Sequence, residues 1–154
     1  MASRVVYWDA SALVAALFSE IHTVAARDLA AQEGAHLISS LAWVEVQATL
    51  ARAIRDGRVS PVLVDAAEGA LRSGPWTYVS AAPKADLARS LSRKWPLRGA
   101  VLWHLTLVKT LQEELPELVF ATYDSALVEA AIGEGVPLSD TPSPPSPTGA
   151  GADR

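Results

Sequence analysis

The side chains of this chain best equipped for chemistry are three carboxylates, Asp9, Glu45 and Asp124, each set among apolar residues. Asp9 and Asp124 end two matching segments: VVYWD runs into ASALVAA, and VFATYD runs into SALVEAA. Each is a hydrophobic run, an aspartate, a serine and an Ala-Leu-Val stretch. Desolvating a lone carboxylate is costly, so such an aspartate caps a helix, meets a cation or holds a metal. For either residue alone, cap and functional group are both open readings. Their repetition at two strand ends favours function, with both facing one crevice. Glu45, in LISSLAWVEVQATLA, is the only charged side chain between His36 and Arg52. It is either a glutamate reaching outward past the core or a third ligand beside the two aspartates. Oxygen donors of this kind suit a hard divalent cation, Mg²⁺ or Mn²⁺, which keeps several of its waters.

The remaining candidates have weaker chemistry. Ser11 and Ser125 read as helix caps, because neither sits in a nucleophile-elbow pattern. His104, in LRGAVLWHLTLV, reads as a satisfied core histidine, with an orienting role towards a ligand as the alternative. His22 and His36 show no ligand spacing with it, which disfavours zinc. The absence of a P-loop and of GxGxxG argues against nucleoside triphosphate and dinucleotide chemistry. Arg52, Arg55 and Arg58 follow Glu45 at regular spacing, and Arg89, Arg93, Lys94 and Arg98 form a second basic cluster. Both read as solvated faces, though phosphate binding beside an acidic site needs positive charge of this kind.

The elements that must position these groups alternate. Arg4 to Trp8 and Leu118 to Thr122 are short apolar runs without clean alternation, as expected of parallel strands covered on both faces. Ala35 to Ser39, Trp76 to Ser80 and Gly135 to Ser139 are shorter strand candidates. Helical stretches lie between them: one begins at Ser11, another closes at Gly34, and a third runs from about Ser40 to Gly57. Ser60 followed by Pro61 opens the next. Pro96 separates two more, and SALVEAAIGEG is the last. Such alternation predicts an α/β fold with a mainly parallel sheet, whose strand carboxyl ends are the usual place for a ligand. The expected domain spans residues 1–139. Residues 140–154, rich in Pro, Ser and Gly, are expected to be a flexible tail.

Composition sets the bounds. A chain of 154 residues favours one domain. Half of the residues are hydrophobic and 19% are charged, a low charged fraction compatible with a dimer or partner interface. The net charge of −4 leaves any nucleic-acid contact to a local basic patch. The sequence contains no cysteine, which excludes disulfides and thiolate sites and fits the cytoplasm. No run reads as a signal peptide or a membrane span.

Four segments in order, VVYWDASALVAALF, SSLAWVEVQATLAR, LRGAVLWHLTLV and VFATYDSALVEAA, resemble the PIN domain, most closely VapC-type toxins of bacterial toxin–antitoxin pairs. The resemblance covers about Val5 to Ser139. It implies a three-layer α/β/α domain with a central, mainly parallel sheet. It also implies a Mg²⁺- or Mn²⁺-dependent endoribonuclease site with Asp9, Glu45 and Asp124 as acidic members, lined by Ser11, Val101, His104 and Ser125. A homodimer and a cognate antitoxin that covers the crevice are implied as partners, with RNA as substrate. One position departs: Val101 stands where family members carry an aspartate ligand. The rival expectation is a catalytically impaired PIN-like module that binds RNA or an antitoxin.

Overall fold

The computed structural model describes residues 4–139; the expected tail, 140–154, lies outside the described residues. Four strands, β1 (Arg4–Trp8), β2 (Gly34–Ser39), β3 (Trp76–Val79) and β4 (Val119–Ala121), form one sheet. Its order is β3-β2-β1-β4, and every pairing is parallel. The helices α1 (Ala10–Leu17), α2 (Thr23–Ala30), α3 (Ser40–Arg55) and α4 (Pro61–Ser73) precede β3. Helices α5 (Ala85–Lys94) and α6 (Gly99–Gln112) lead to β4, and α7 (Ser125–Gly133) follows it.

Strand alternation divides the core into two faces. Val6, Trp8 and Ile38 pack with α1 to α4, while Val5, Tyr7 and Phe120 pack with α5 to α7. Val6, Tyr7 and Trp8 are all fully buried, so β1 is covered on both sides, as its unbroken apolar run predicts. This is the expected three-layer α/β/α architecture. Among the described residues no helix is long and apolar enough to cross a membrane.

Several boundaries differ from the sequence reading. The segment Gly135 to Ser139 forms no strand; Leu138 makes a single parallel bridge to Phe120. Pro137 has no N–H to extend the pairing, and Gly135 turns the backbone with φ +71. Helix α2 stops at Ala30, and Gly34 opens β2 instead of closing that helix. There φ is +145, and a Cβ would sit 2.2 Å from the Arg4 carbonyl oxygen, so this close approach of β2 to β1 requires glycine.

The order of the strands decides where the site lies. From β1 the chain moves outward to β2 and β3, then returns to the opposite side of β1 as β4. The order therefore reverses between β1 and β4, and the carboxyl ends of those two strands flank the switch point. Asp9 follows β1 directly, and Thr122, Tyr123 and Asp124 follow β4.

Candidate active site

Asp9 caps α1 and lies buried at the switch point. Its Oδ1 accepts from the Ala12 N–H at 3.0 Å and from the Ser11 hydroxyl at 2.6 Å. Its Oδ2 accepts from the Thr122 hydroxyl at 2.5 Å. Burial pushes the Asp9 carboxyl above the usual carboxylate range, and these three hydrogen bonds, with a smaller pull from the His104 ring, oppose the shift. Among the described residues it makes no ion pair. A buried carboxylate held by neutral donors alone is a place where a cation would be stabilised.

The β4 side is tied to Asp9 by two hydroxyls. Thr122 donates to Asp9 and accepts the Asp124 N–H at 3.2 Å. Ser11 donates to Asp9 and accepts the Tyr123 N–H at 2.9 Å. Asp124 caps α7, accepting the Leu127 N–H at 2.9 Å on Oδ1. Both aspartates thus do cap helices, and the serines expected as caps do not. Ser11 cross-links β1 to β4, while Ser125 is the exposed first residue of α7. Helix α1 begins two residues, and α7 one residue, earlier than a serine cap would allow, because an aspartate in extended conformation already satisfies the first turn.

Glu45 belongs to a different network. Its Oε1 accepts from His104 Nε2 at 2.5 Å, and the His104 Nδ1 lies 2.8 Å from the Tyr7 hydroxyl. That hydroxyl is also 2.8 Å from Ser39 Oγ, the N-cap of α3. A carboxylate only accepts, so Nε2 carries the proton facing Glu45. In the neutral imidazole Nδ1 then accepts from Tyr7, which accepts from Ser39. Burial, with the charges of Asp9 and Glu45, raises the Tyr7 pKa far enough to keep the phenol neutral, against the lowering effect of the Ser39 bond. The chain of bonds joins α3, β1 and α6 and fixes the Glu45 side chain, which remains one-third exposed.

A crevice of about 470 Å³ opens beside these groups, with Ser11, Glu20, His22, Glu45, Thr49 and Tyr123 on its polar wall. The His22 and Tyr123 rings are stacked, 4.2 Å apart and within 3° of parallel. Of the expected residues Ser11 and Glu45 line this crevice, whereas Asp9 and Asp124, expected to face it together, are not among its lining residues, and Val101, His104 and Ser125 are elsewhere. His104 is buried behind Glu45, and Val101 is partly buried against the apolar cluster of α5 to α7. A larger groove of about 640 Å³ lies between the end of α1 and α4, but Leu17, Phe18, Val59 and Leu63 give it an apolar wall without chemistry.

The fit of a metal follows from the donor set. Asp9, Glu45 and Asp124 present only hard oxygen atoms, and one oxygen each of Glu45 and Asp124 has no hydrogen bond among the described residues. No three His, Cys, Asp or Glu among the described residues lie close enough to form an ion cage. The arrangement therefore suits one hydrated Mg²⁺ or Mn²⁺ held by one or two carboxylates, and does not suit a closed protein cage.

Comparison with known proteins adds the fold. No family model matches the chain, and no curated protein matches it. Among solved structures, the crystal structure of PAE2754 from Pyrobaculum aerophilum is similar. The two are 20% identical over 82% of this chain and 79% of that one, with a TM-score of 0.57. At that identity the likeness establishes the α/β/α fold alone.

The sequence did not single out Tyr7, Ser39, Thr122 or Tyr123. Tyr7 carried a usable signal, since a tyrosine inside a doubly covered strand needs a partner for its hydroxyl. Thr122 carried none, because a threonine at the end of a strand is ordinary.

Proposed function

We propose that this chain is a PIN-like domain of the VapC type and a Mg²⁺- or Mn²⁺-dependent endoribonuclease. The observation that carries the reading is Asp9, a buried carboxylate at the switch point whose hydrogen-bond donors are all neutral. Asp9 would hold the ion most directly, with Asp124 and Glu45 acting through its waters. A bound divalent ion would neutralise charge on the scissile phosphate and lower the pKa of a bound water. The chain's own residues do the rest. Ser11 and Thr122 fix both oxygens of Asp9, and His104 keeps Glu45 turned to the crevice with one oxygen free to take a proton from water.

A second reading has its own support. Val101 stands where the resemblance expects a further carboxylate, and no three-acid cage is assembled among the described residues. A PIN-like module that binds without cutting would use Glu20 and Glu45 to receive a cationic group. In both readings the natural setting is the cytoplasm, with a homodimer and a cognate antitoxin as partners. Apolar side chains exposed on and before α2 and on α4, namely Ile21 at 90%, Val24 at 74% and Val62 at 75%, support a covered surface.

The test is incubation of purified protein with single-stranded RNA, with Mn²⁺ or with chelator. Cleavage that needs the metal and disappears in Asp9→Asn supports the nuclease. RNA left intact by wild type under all conditions removes it in favour of the binding module.

A further inference from the structure

The crevice and one face of α3 share a line of chemistry that the acidic site does not explain. Glu45 and Thr49 both line the crevice, and Arg52 lies three residues beyond Thr49. At 100° per residue, these three side chains fall on one face of the helix, with Arg52 about 10 Å along the axis from Glu45. Arg52 is exposed and makes no ion pair among the described residues. Its neighbour Arg58, by contrast, is paired with Asp56 at 3.4 Å. Across the same crevice stands the flat aromatic wall of His22 and Tyr123. A groove with a stacking surface at one side and an exposed cation further along the helix that forms its wall matches the pattern by which single-stranded nucleic acids are held.

We infer that α3 and the aromatic pair form a path for single-stranded RNA, with one base against the His22–Tyr123 stack and a neighbouring phosphate on Arg52. Charge explains the polarity of the path. Glu20 and Glu45 repel phosphate inside the crevice, so the backbone keeps to the Arg52 side and the base turns inward. The separation along α3 matches a phosphate one or two nucleotides away from the group at Glu45. The inference rests on the proposal that RNA is the substrate, but it concerns binding and needs no metal.

The experiment is fluorescence anisotropy of the full chain with a short labelled single-stranded RNA, in chelator, across a KCl series. Arg52→Gln weakens binding and lowers the salt slope by about 0.7, while Arg52→Lys preserves that slope. His22→Ala weakens binding of the RNA about tenfold and leaves an abasic oligonucleotide of equal length unaffected. Both variants alter half-buried or exposed side chains, and circular dichroism confirms that they stay folded. Affinity unchanged in Arg52→Gln and His22→Ala, or no RNA binding by wild type, overturns the path. The failures are separable. RNA bound but never cut on adding Mn²⁺ sustains the path and removes the nuclease reading; RNA cut equally well by both variants does the reverse.

Discussion

Replacing Tyr7 with Phe isolates the chain of bonds that holds Glu45. The Tyr7 ring is fully buried and sits 5.7 Å from Phe120, centroid to centroid, so Phe keeps the packing and leaves no cavity. What is lost is one hydroxyl between Ser39 and His104. Ser39 Oγ still accepts the Ala42 N–H, but His104 Nδ1 is left buried without a donor. An unsatisfied buried polar atom costs about 1–3 kcal/mol, so Tyr7→Phe should destabilise by roughly 2 kcal/mol. Urea unfolding reads this as a lower midpoint with an unchanged slope. The cost should shrink or vanish in a His104→Leu background, where no Nδ1 is left to lose its donor and the phenol can still bond Ser39. A Tyr7→Phe protein within about 0.3 kcal/mol of wild type, or equal costs in the two backgrounds, would refute the relay.

Other perturbations follow from single contacts. Glu134 accepts from Lys109, Lys94 and Trp95, which lower its pKa from 4.5 to about 2. Its contribution to stability is therefore present above about pH 4.5 and lost as the pH falls towards 2. Glu134→Gln should cost roughly 1–2 kcal/mol at neutral pH, discounted for the exposure of Lys94, with the difference from wild type closing near pH 2 in acid denaturation. Gly34→Ala should cost about 2 kcal/mol or more in thermal unfolding, since its Cβ would collide with the Arg4 carbonyl. Val101→Asp sets a carboxylate against the apolar cluster of α5 to α7, so it should lower the thermal midpoint and leave Mn²⁺ affinity unchanged; tighter Mn²⁺ binding with raised RNA cleavage would return position 101 to the site.

The layered fold was largely legible because its signals are local. The unbroken apolar run of β1, the Ser60-Pro61 start of α4 and the Pro96 break each act within a few residues. The segment at Gly135 misled because its apolar residues were weighed above Pro137 and Gly135, both legible in the sequence as signals against a strand. The site was only half legible. Asp9 and Asp124 could be placed at strand ends from their repeated context, but whether each was a cap or a ligand depends on which hydrogen bonds close in three dimensions. Glu45 gained its partner from His104, 59 residues away, and no spacing rule connects them. Val101 was expected in the crevice because it stands where the PIN resemblance puts a ligand aspartate; its packing against the cluster of α5 to α7 depends on the rotation of α6.

The central claim is that Asp9 is kept buried among neutral donors for the sake of a divalent cation. Titration calorimetry of Mn²⁺ into the wild type and into Asp9→Asn tests it directly. Saturable binding near one ion per chain in the wild type, absent in a folded Asp9→Asn protein, is the expected result. No binding heat in the wild type, or equal binding in both proteins, would contradict it.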